Sequence, residues 1–169
     1  MDESLAKRLG FKSIFVEGKD FYFSRDPGTA NGNVMLYSSQ KEGAGPYLKN
    51  GIRAIAPQDL ESVKELQKYV RDMVDYGTAF VIDASIIEMA YGTYRALLMG
   101  KMAECTELMI KRNVNICLAT LAKSSIENLA AVQLIAIGEA LGLEEDEARK
   151  AVSSNKHIVV GKGNSSDKR

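Results

Sequence analysis

The residues best equipped for chemistry stand just after two apolar runs. Asp83 and Ser85 follow Thr78 to Ile82 (TAFVI); Thr120 closes Val114 to Thr120 (VNICLAT), and Lys123 and Ser124 come next. Such runs are expected of strands buried on both faces, and in parallel α/β folds the carboxyl ends of the strands form the ligand face. A carboxylate and an amine there, Asp83 and Lys123, would suit acid–base work on a small molecule. The same residue types also serve the backbone. Ser124 with Glu127 three residues on has the spacing of a capping box, and Asp83 suits the free donors of a helix start or turn. That structural use is the preferred reading, and no paired acid and base can be nominated.

Other chemistries find less support. A histidine-rich metal hydrolase needs several imidazoles converging on its ion, and the chain has a single histidine, His157. No GxSxG elbow is present. The two cysteines, Cys105 and Cys117, lack CxxC spacing and fall on a helix stripe and in an apolar strand. They read as packing residues, and argue for a reducing compartment without disulfides or structural zinc. Gly43-Ala44-Gly45-Pro46 and Gly161-Lys162-Gly163 are glycine-rich in composition only. Neither has the strand–turn–helix setting that cradles phosphate, so both read as turns. No cofactor and no metal is expected.

The elements that must position these residues follow from the apolar periodicity. Asp59 is the expected N-cap of a helix with Leu60, Val63, Leu66, Val70, Met73 and Val74 on one stripe, ended by Gly77. A second helix is expected from about Thr93 to Lys111, with Leu97, Leu98, Met102, Cys105, Leu108 and Met109 on its inner side. A third opens at Ser124, reaches Leu141 and stops at Gly142. An acidic helix (EEDEARKAV) follows, its acids leading and its Arg149 and Lys150 trailing, as the helix dipole favours. Upstream, Asp2 to Leu9 reads as a short helix; Lys12 to Glu17, Phe21 to Ser24, Val34 to Tyr37 and Ile52 to Ala56 read as strands. The segments RDPGTANGN and SSQKEGAGP read as loops, and His157 to Val160 as a last strand. Alternating strands and helices imply parallel strands with right-handed crossovers, which a doubly wound sheet or a (β/α) barrel would satisfy. A full barrel takes about 250 residues, so in 169 residues a barrel would be reduced or open. One domain is expected over residues 1–161, with a flexible polar tail over 162–169.

Charge narrows the partners. Lys and Arg number 22 and Asp and Glu number 22, a formal net charge of zero. An autonomous nucleic-acid binder usually carries a basic surplus, so an RNA role here would need a local patch or partners that bring charge. Arg95 stands out, because it lies in the first turn of the second helix, where the dipole disfavours a cation. It answers either to a partner such as a phosphate, or to solvent or an internal ion pair. Lys111 and Arg112 end that helix, where the dipole accounts for them, and Lys123 lies on the expected ligand face. No apolar run reaches membrane-spanning length, and MDESLAKRLG carries no apolar signal core, so a cytoplasmic protein is expected.

From Gly77 to Val160 the order of features resembles the archaeal ribonuclease P protein component 3 family, a reduced or irregular TIM-like (β/α) barrel with mostly parallel strands. AFVIDAS leads to Tyr94-Arg95-Ala96-Leu97-Leu98, similar to the family's aromatic–arginine–alanine–leucine helix start. The basic end Lys111-Arg112-Asn113-Val114 then enters NICLAT, followed by a helix, Leu141-Gly142-Leu143, an alanine-containing helix at Ala148 and a short apolar strand. The likeness covers the second half well and the first third poorly. The family's strand before its first helix is not matched. Its Gly-Ile-Asp-His element stands here as Gln58-Asp59-Leu60-Glu61-Ser62, and its later Ser-Ser as Thr120-Leu121. The resemblance implies a non-catalytic subunit of an endoribonuclease that removes 5′ leaders from precursor tRNA. It implies as partners the ribonuclease P RNA, which does the chemistry, a small RRM-like protein subunit, and precursor tRNA indirectly. Arg95, Lys111, Arg112 and Lys123 are the candidates for RNA or partner contact; the alternatives are a small-molecule enzyme using Asp83 and Lys123, or a protein-binding scaffold.

Overall fold

A computed structural model describes residues 3–11, 23–24, 34–39, 43–121 and 129–153. The chain is an α/β protein built on a parallel sheet. In chain order the elements are α1 (Glu3–Arg8), β1 (Phe23–Ser24), β2 (Val34–Tyr37), α2 (Gly45–Lys49), β3 (Ala54–Pro57), α3 (Leu60–Leu66), a 3₁₀ turn (Gln67–Tyr69), α4 (Val70–Tyr76), β4 (Ala79–Asp83), α5 (Ala84–Met89), α6 (Gly92–Lys111), β5 (Ile116–Ala119), α7 (Ala131–Ala140) and α8 (Glu145–Ser153). The strands lie in the order β1-β2-β3-β4-β5, every neighbouring pair parallel. Val34 pairs with Ala54, Ala54 with Ala79, and Phe80 with Ile116, which sets Asp83 beside Ala119 at the carboxyl end.

Strand alternation divides the sheet's side chains into two sets. Met35, Tyr37, Ile55, Phe80, Ile82 and Leu118 join the large core, to which α2 to α8 contribute residues such as Leu48, Leu66, Met73, Ile87, Leu98, Met102, Leu134 and Ala148. Val34, Ala54, Ala56, Ala79, Val81 and Cys117 form a separate buried cluster with no side chain from any described helix. Its residues are small, and Leu36, Phe23 and Leu121 pack at its margin.

Local chemistry sets the element ends. Asp59 caps α3: its Oδ1 accepts from the Ser62 N–H at 2.7 Å, and the Ser62 hydroxyl oxygen accepts from the Gln58 and Asp59 N–H groups at 3.1 and 3.0 Å. The expected single helix from Asp59 to Gly77 is tightened in its middle into the 3₁₀ turn, and Val74 is exposed. Gly77 ends it in the left-handed conformation (φ 66°), where a side chain would be strained. Two expectations are corrected. The loop containing Gly45 and Pro46 folds into the one-and-a-half-turn α2, because proline is favoured at a first helical position and Tyr47 and Leu48 find the core. The third helix does not run continuously from Ser124, since Ala130 is extended and α7 begins at Ala131. There the Gln133 side chain accepts the Ala130 N–H at 2.8 Å, while the Leu9 carbonyl accepts the Ala131 N–H at 2.9 Å. The expected Lys12 to Glu17 and His157 to Val160 strands and the 162–169 tail lie outside the described residues. Among the described residues no helix is long and apolar enough to cross a membrane.

Candidate functional site

The carboxyl ends of β3, β4 and β5 carry the groups singled out from sequence. Asp83, the last residue of β4, is 2% exposed. One of its oxygens, Oδ1, accepts from the Ser85 N–H at 3.0 Å, the Ser85 hydroxyl at 2.7 Å and the Leu121 N–H at 3.1 Å. It therefore caps α5 and ties the end of β4 to the chain leaving β5. All three donors converge on that one oxygen, so its lone pairs are already engaged in holding the fold. Thr120, beside it, keeps a buried hydroxyl without a hydrogen-bond partner. Lys123 and Ser124, the other half of the expected strand-end pair, lie outside the described residues, as does His157.

Gln58 to Ser62 forms the α3 cap, so Asp59 is committed to Ser62. The Gln58 amide Nε2 donates to the Ala56 and Pro57 carbonyls, each at 3.3 Å. Its side chain borders a cleft of about 390 Å³, lined further by Ile86, Met89, Ala90, Tyr91, Tyr94 and Leu98. Among the described residues the lining contains no charged group. At the end of β2 another polar group is buried: the Tyr37 ring packs edge-on to Tyr47 (centroids 6.3 Å apart, planes at 68°). Burial, reinforced by the Glu65 carboxylate, pushes its phenol far up, so it stays protonated. Its hydroxyl lacks a partner of regular hydrogen-bond geometry, while Glu65 instead accepts from the Ser39 hydroxyl at 2.8 Å.

The three described cationic candidates do not converge. Arg95 is half-buried in the first turn of α6, which holds no acidic residue, and among the described residues it makes no ion pair. Lys111 and Arg112 are at the other end of the same 20-residue helix, and a rise of 1.5 Å per residue separates Arg95 from Lys111 by about 24 Å. Lys111 is paired with Glu107 at 2.5 Å, which holds the Glu107 carboxyl below its ordinary value. The exposed Arg112 has no such partner among the described residues. No protein-family model matches this chain, and no curated protein matches its sequence.

The cysteines are buried, and burial pushes both thiols up to about 12. They pack rather than react. Among the described residues no three metal-ligating side chains come together. Sequence reasoning missed the surface at the α5–α6 corner, where Met89, Tyr91, Tyr94 and Leu97 are exposed by 57, 86, 47 and 54%. The expected inner stripe had included Leu97. The buried residues Leu98, Met102, Cys105 and Met109 advance by four, three and four, and adjacent leucines on a helix point about 100° apart, so Leu97 was legible as the outlier.

Proposed function

We propose that this chain is a non-catalytic subunit of ribonuclease P of the archaeal protein component 3 type, a reduced TIM-like (β/α) barrel working in the cytoplasm. It binds the ribonuclease P RNA and a small RRM-like protein subunit, and supports RNA-catalysed removal of the 5′ leader from precursor tRNA. The observation that carries this reading is the character of the strand-end face. Its described carboxylate, Asp83, is bound by three backbone and hydroxyl donors, whereas the neighbouring corner offers exposed aromatic and apolar side chains and an arginine without an ion pair. That is equipment for contact, with the reactive groups supplied by RNA and its metal ions.

The strand order favours the barrel form. Doubly wound sheets reverse their strand order at a switch point, and the order here runs from first to fifth without reversal. The resemblance over Gly77 to Val160 supports the same assignment. The small-molecule enzyme draws less support from the described residues, because those lining the cleft beside Gln58 include no charged group to work on a substrate.

Reconstitution tests the proposal. Ribonuclease P RNA with its small protein partner, at limiting magnesium, is expected to cleave precursor tRNA faster once this chain is added. The isolated chain, having no net charge, is expected to bind RNA weakly, with affinity collapsing as salt rises. Unchanged cleavage would refute the subunit role, and so would turnover of any substrate by the purified protein that Asp83→Asn abolishes.

A further inference from the structure

We propose that the α5–α6 corner is a stacking platform for unpaired nucleotides, with bases against Tyr91 and Tyr94 and a phosphate at Arg95. The inference rests on the RNA-contact reading above and narrows it to one nucleic-acid form at one place. Tyr94 and Arg95 lie one turn before Leu98 on α6, and Tyr91, the extended residue that precedes the helix, lines the same cleft as Tyr94 and Leu98. Of the residues lining the cleft, Leu98 is buried, while Tyr91 and Tyr94 are 86 and 47% exposed. An aromatic ring left so open at a helix start contributes little to folding. It offers what every base can use, a flat apolar face. The cleft of about 390 Å³ falls within the range of about 300–1,000 Å³ that holds small planar ligands.

Charge selects the occupant. Arg95 is unpaired among the described residues, and the first turn of α6 carries no acid. The positive end of the helix dipole and the guanidinium therefore add, which disfavours the free protein and favours an anion. An apolar protein partner would cover the same carbon atoms without any use for that cation. A phosphate backbone uses both. Duplex RNA presents its bases edge-on and cannot stack here.

The full chain is tested with a short oligouridylate and with a short duplex RNA at low salt. The protein contains no tryptophan, so Tyr91→Trp installs a single reporter, expected to be quenched by the oligouridylate and not by the duplex. By anisotropy of the labelled oligouridylate, Tyr91→Ala is expected to weaken binding about tenfold and Tyr91→Phe to restore it. Arg95→Ala is expected to lower the salt slope by about 0.7. Unchanged binding in Tyr91→Ala, or equal weakening toward single strand and duplex, overturns the platform. So does loss of the small RRM-like subunit from Tyr91→Ala with oligouridylate binding intact, which would make the corner a protein surface. If Tyr91→Ala loses the oligouridylate while adding the wild-type chain leaves reconstituted cleavage unchanged, the platform stands and the ribonuclease P assignment falls.

Discussion

Asp83→Ala is expected to destabilise the fold by about 3–5 kcal/mol, and the figure follows from the donors it would abandon. The side chain is 2% exposed, and its Oδ1 accepts from two N–H groups and one hydroxyl, belonging to Ser85 and Leu121. Hydrogen bonds to a charged acceptor contribute about 1.5–3 kcal/mol each, and a buried donor left alone costs about 1–3 kcal/mol. The sum is reduced because the Ser85 hydroxyl can turn to another acceptor and because the three bonds share one oxygen. Loss of the cap on α5 is included in it, at about 1 kcal/mol. Asp83→Asn keeps an acceptor of the same shape and loses only the charge assistance, roughly half of each bond's strength, so about 1–2 kcal/mol is expected. Urea unfolding followed by far-ultraviolet circular dichroism measures both, with an unchanged m-value as evidence that the denatured state is not the cause. A domain of this size has about 5–15 kcal/mol in total, so the asparagine variant remains measurable even where the alanine variant does not fold. A carboxylate kept for reaction behaves in the opposite way, since sites held for chemistry commonly gain stability when neutralised. Stability of Asp83→Asn equal to or above wild type would refute the structural role assigned here.

Two further expectations follow from packing. A Cβ at Gly138 would stand 3.0 Å from both the Ala148 Cβ and the Leu118 Cδ2, and 3.2 Å from the Leu143 Cδ1. Gly138→Ala is therefore expected to lose about 1–3 kcal/mol to overpacking against a gain of about 1 kcal/mol in helix propensity, and a raised melting temperature would contradict the close approach of α7, α8 and β5. The Cys105 and Cys117 thiols, raised from 9.0 to about 12, hold their protons in the folded protein where the unfolded chain releases them. Their contribution is complete below pH 9 and is lost as pH rises toward about 12, at about 1.4 kcal/mol per pH unit per thiol. A Cys105→Ala/Cys117→Ala variant should show a correspondingly shallower alkaline fall in urea midpoint, and identical slopes would contradict the burial argument.

Much of the scaffold was legible because single residues carry single physical demands. Gly77 is left-handed at φ 66°, Asp59 sits three residues before the serine that completes its cap, and α8 orders its charges along the dipole. The apolar runs became strands for the same reason: a strand buried on both faces admits little else. What was not legible depends on tertiary neighbours. The α2 helix is too short for periodicity to reveal, and exists because Tyr47 and Leu48 reach the core. The start of α7 is fixed by the Leu9 carbonyl from a distant part of the chain. At the candidate site the sequence placed Asp83 correctly at a strand end and favoured its structural use. It did not disclose that Leu121 is one of the donors, a contact across 38 residues. Nor did it reveal that Tyr91 stands in the open, because an exposed tyrosine and a core tyrosine look alike in one dimension.

The separation of the cations bears on how the molecule works. Groups that act on one reacting atom must meet within a few ångströms, and Arg95 and Arg112 occupy opposite ends of a single 20-residue helix. They cannot serve one reaction, whatever the occupant of the sheet's carboxyl edge. In the proposed subunit they would touch two points of an extended polyanion, and a helix packed along its length through Leu98, Met102, Cys105 and Met109 would hold those points at a fixed spacing. Lys111, already neutralised by Glu107, adds little to the second point. In the ribonuclease P subunit proposed above, that separation would suit a partner with charge distributed over more than 20 Å, a span of only a few nucleotides. On that proposal a zero net charge would be an advantage: contacts that are few and separated make binding depend on the partner's shape, where a uniformly basic surface would hold any polyanion.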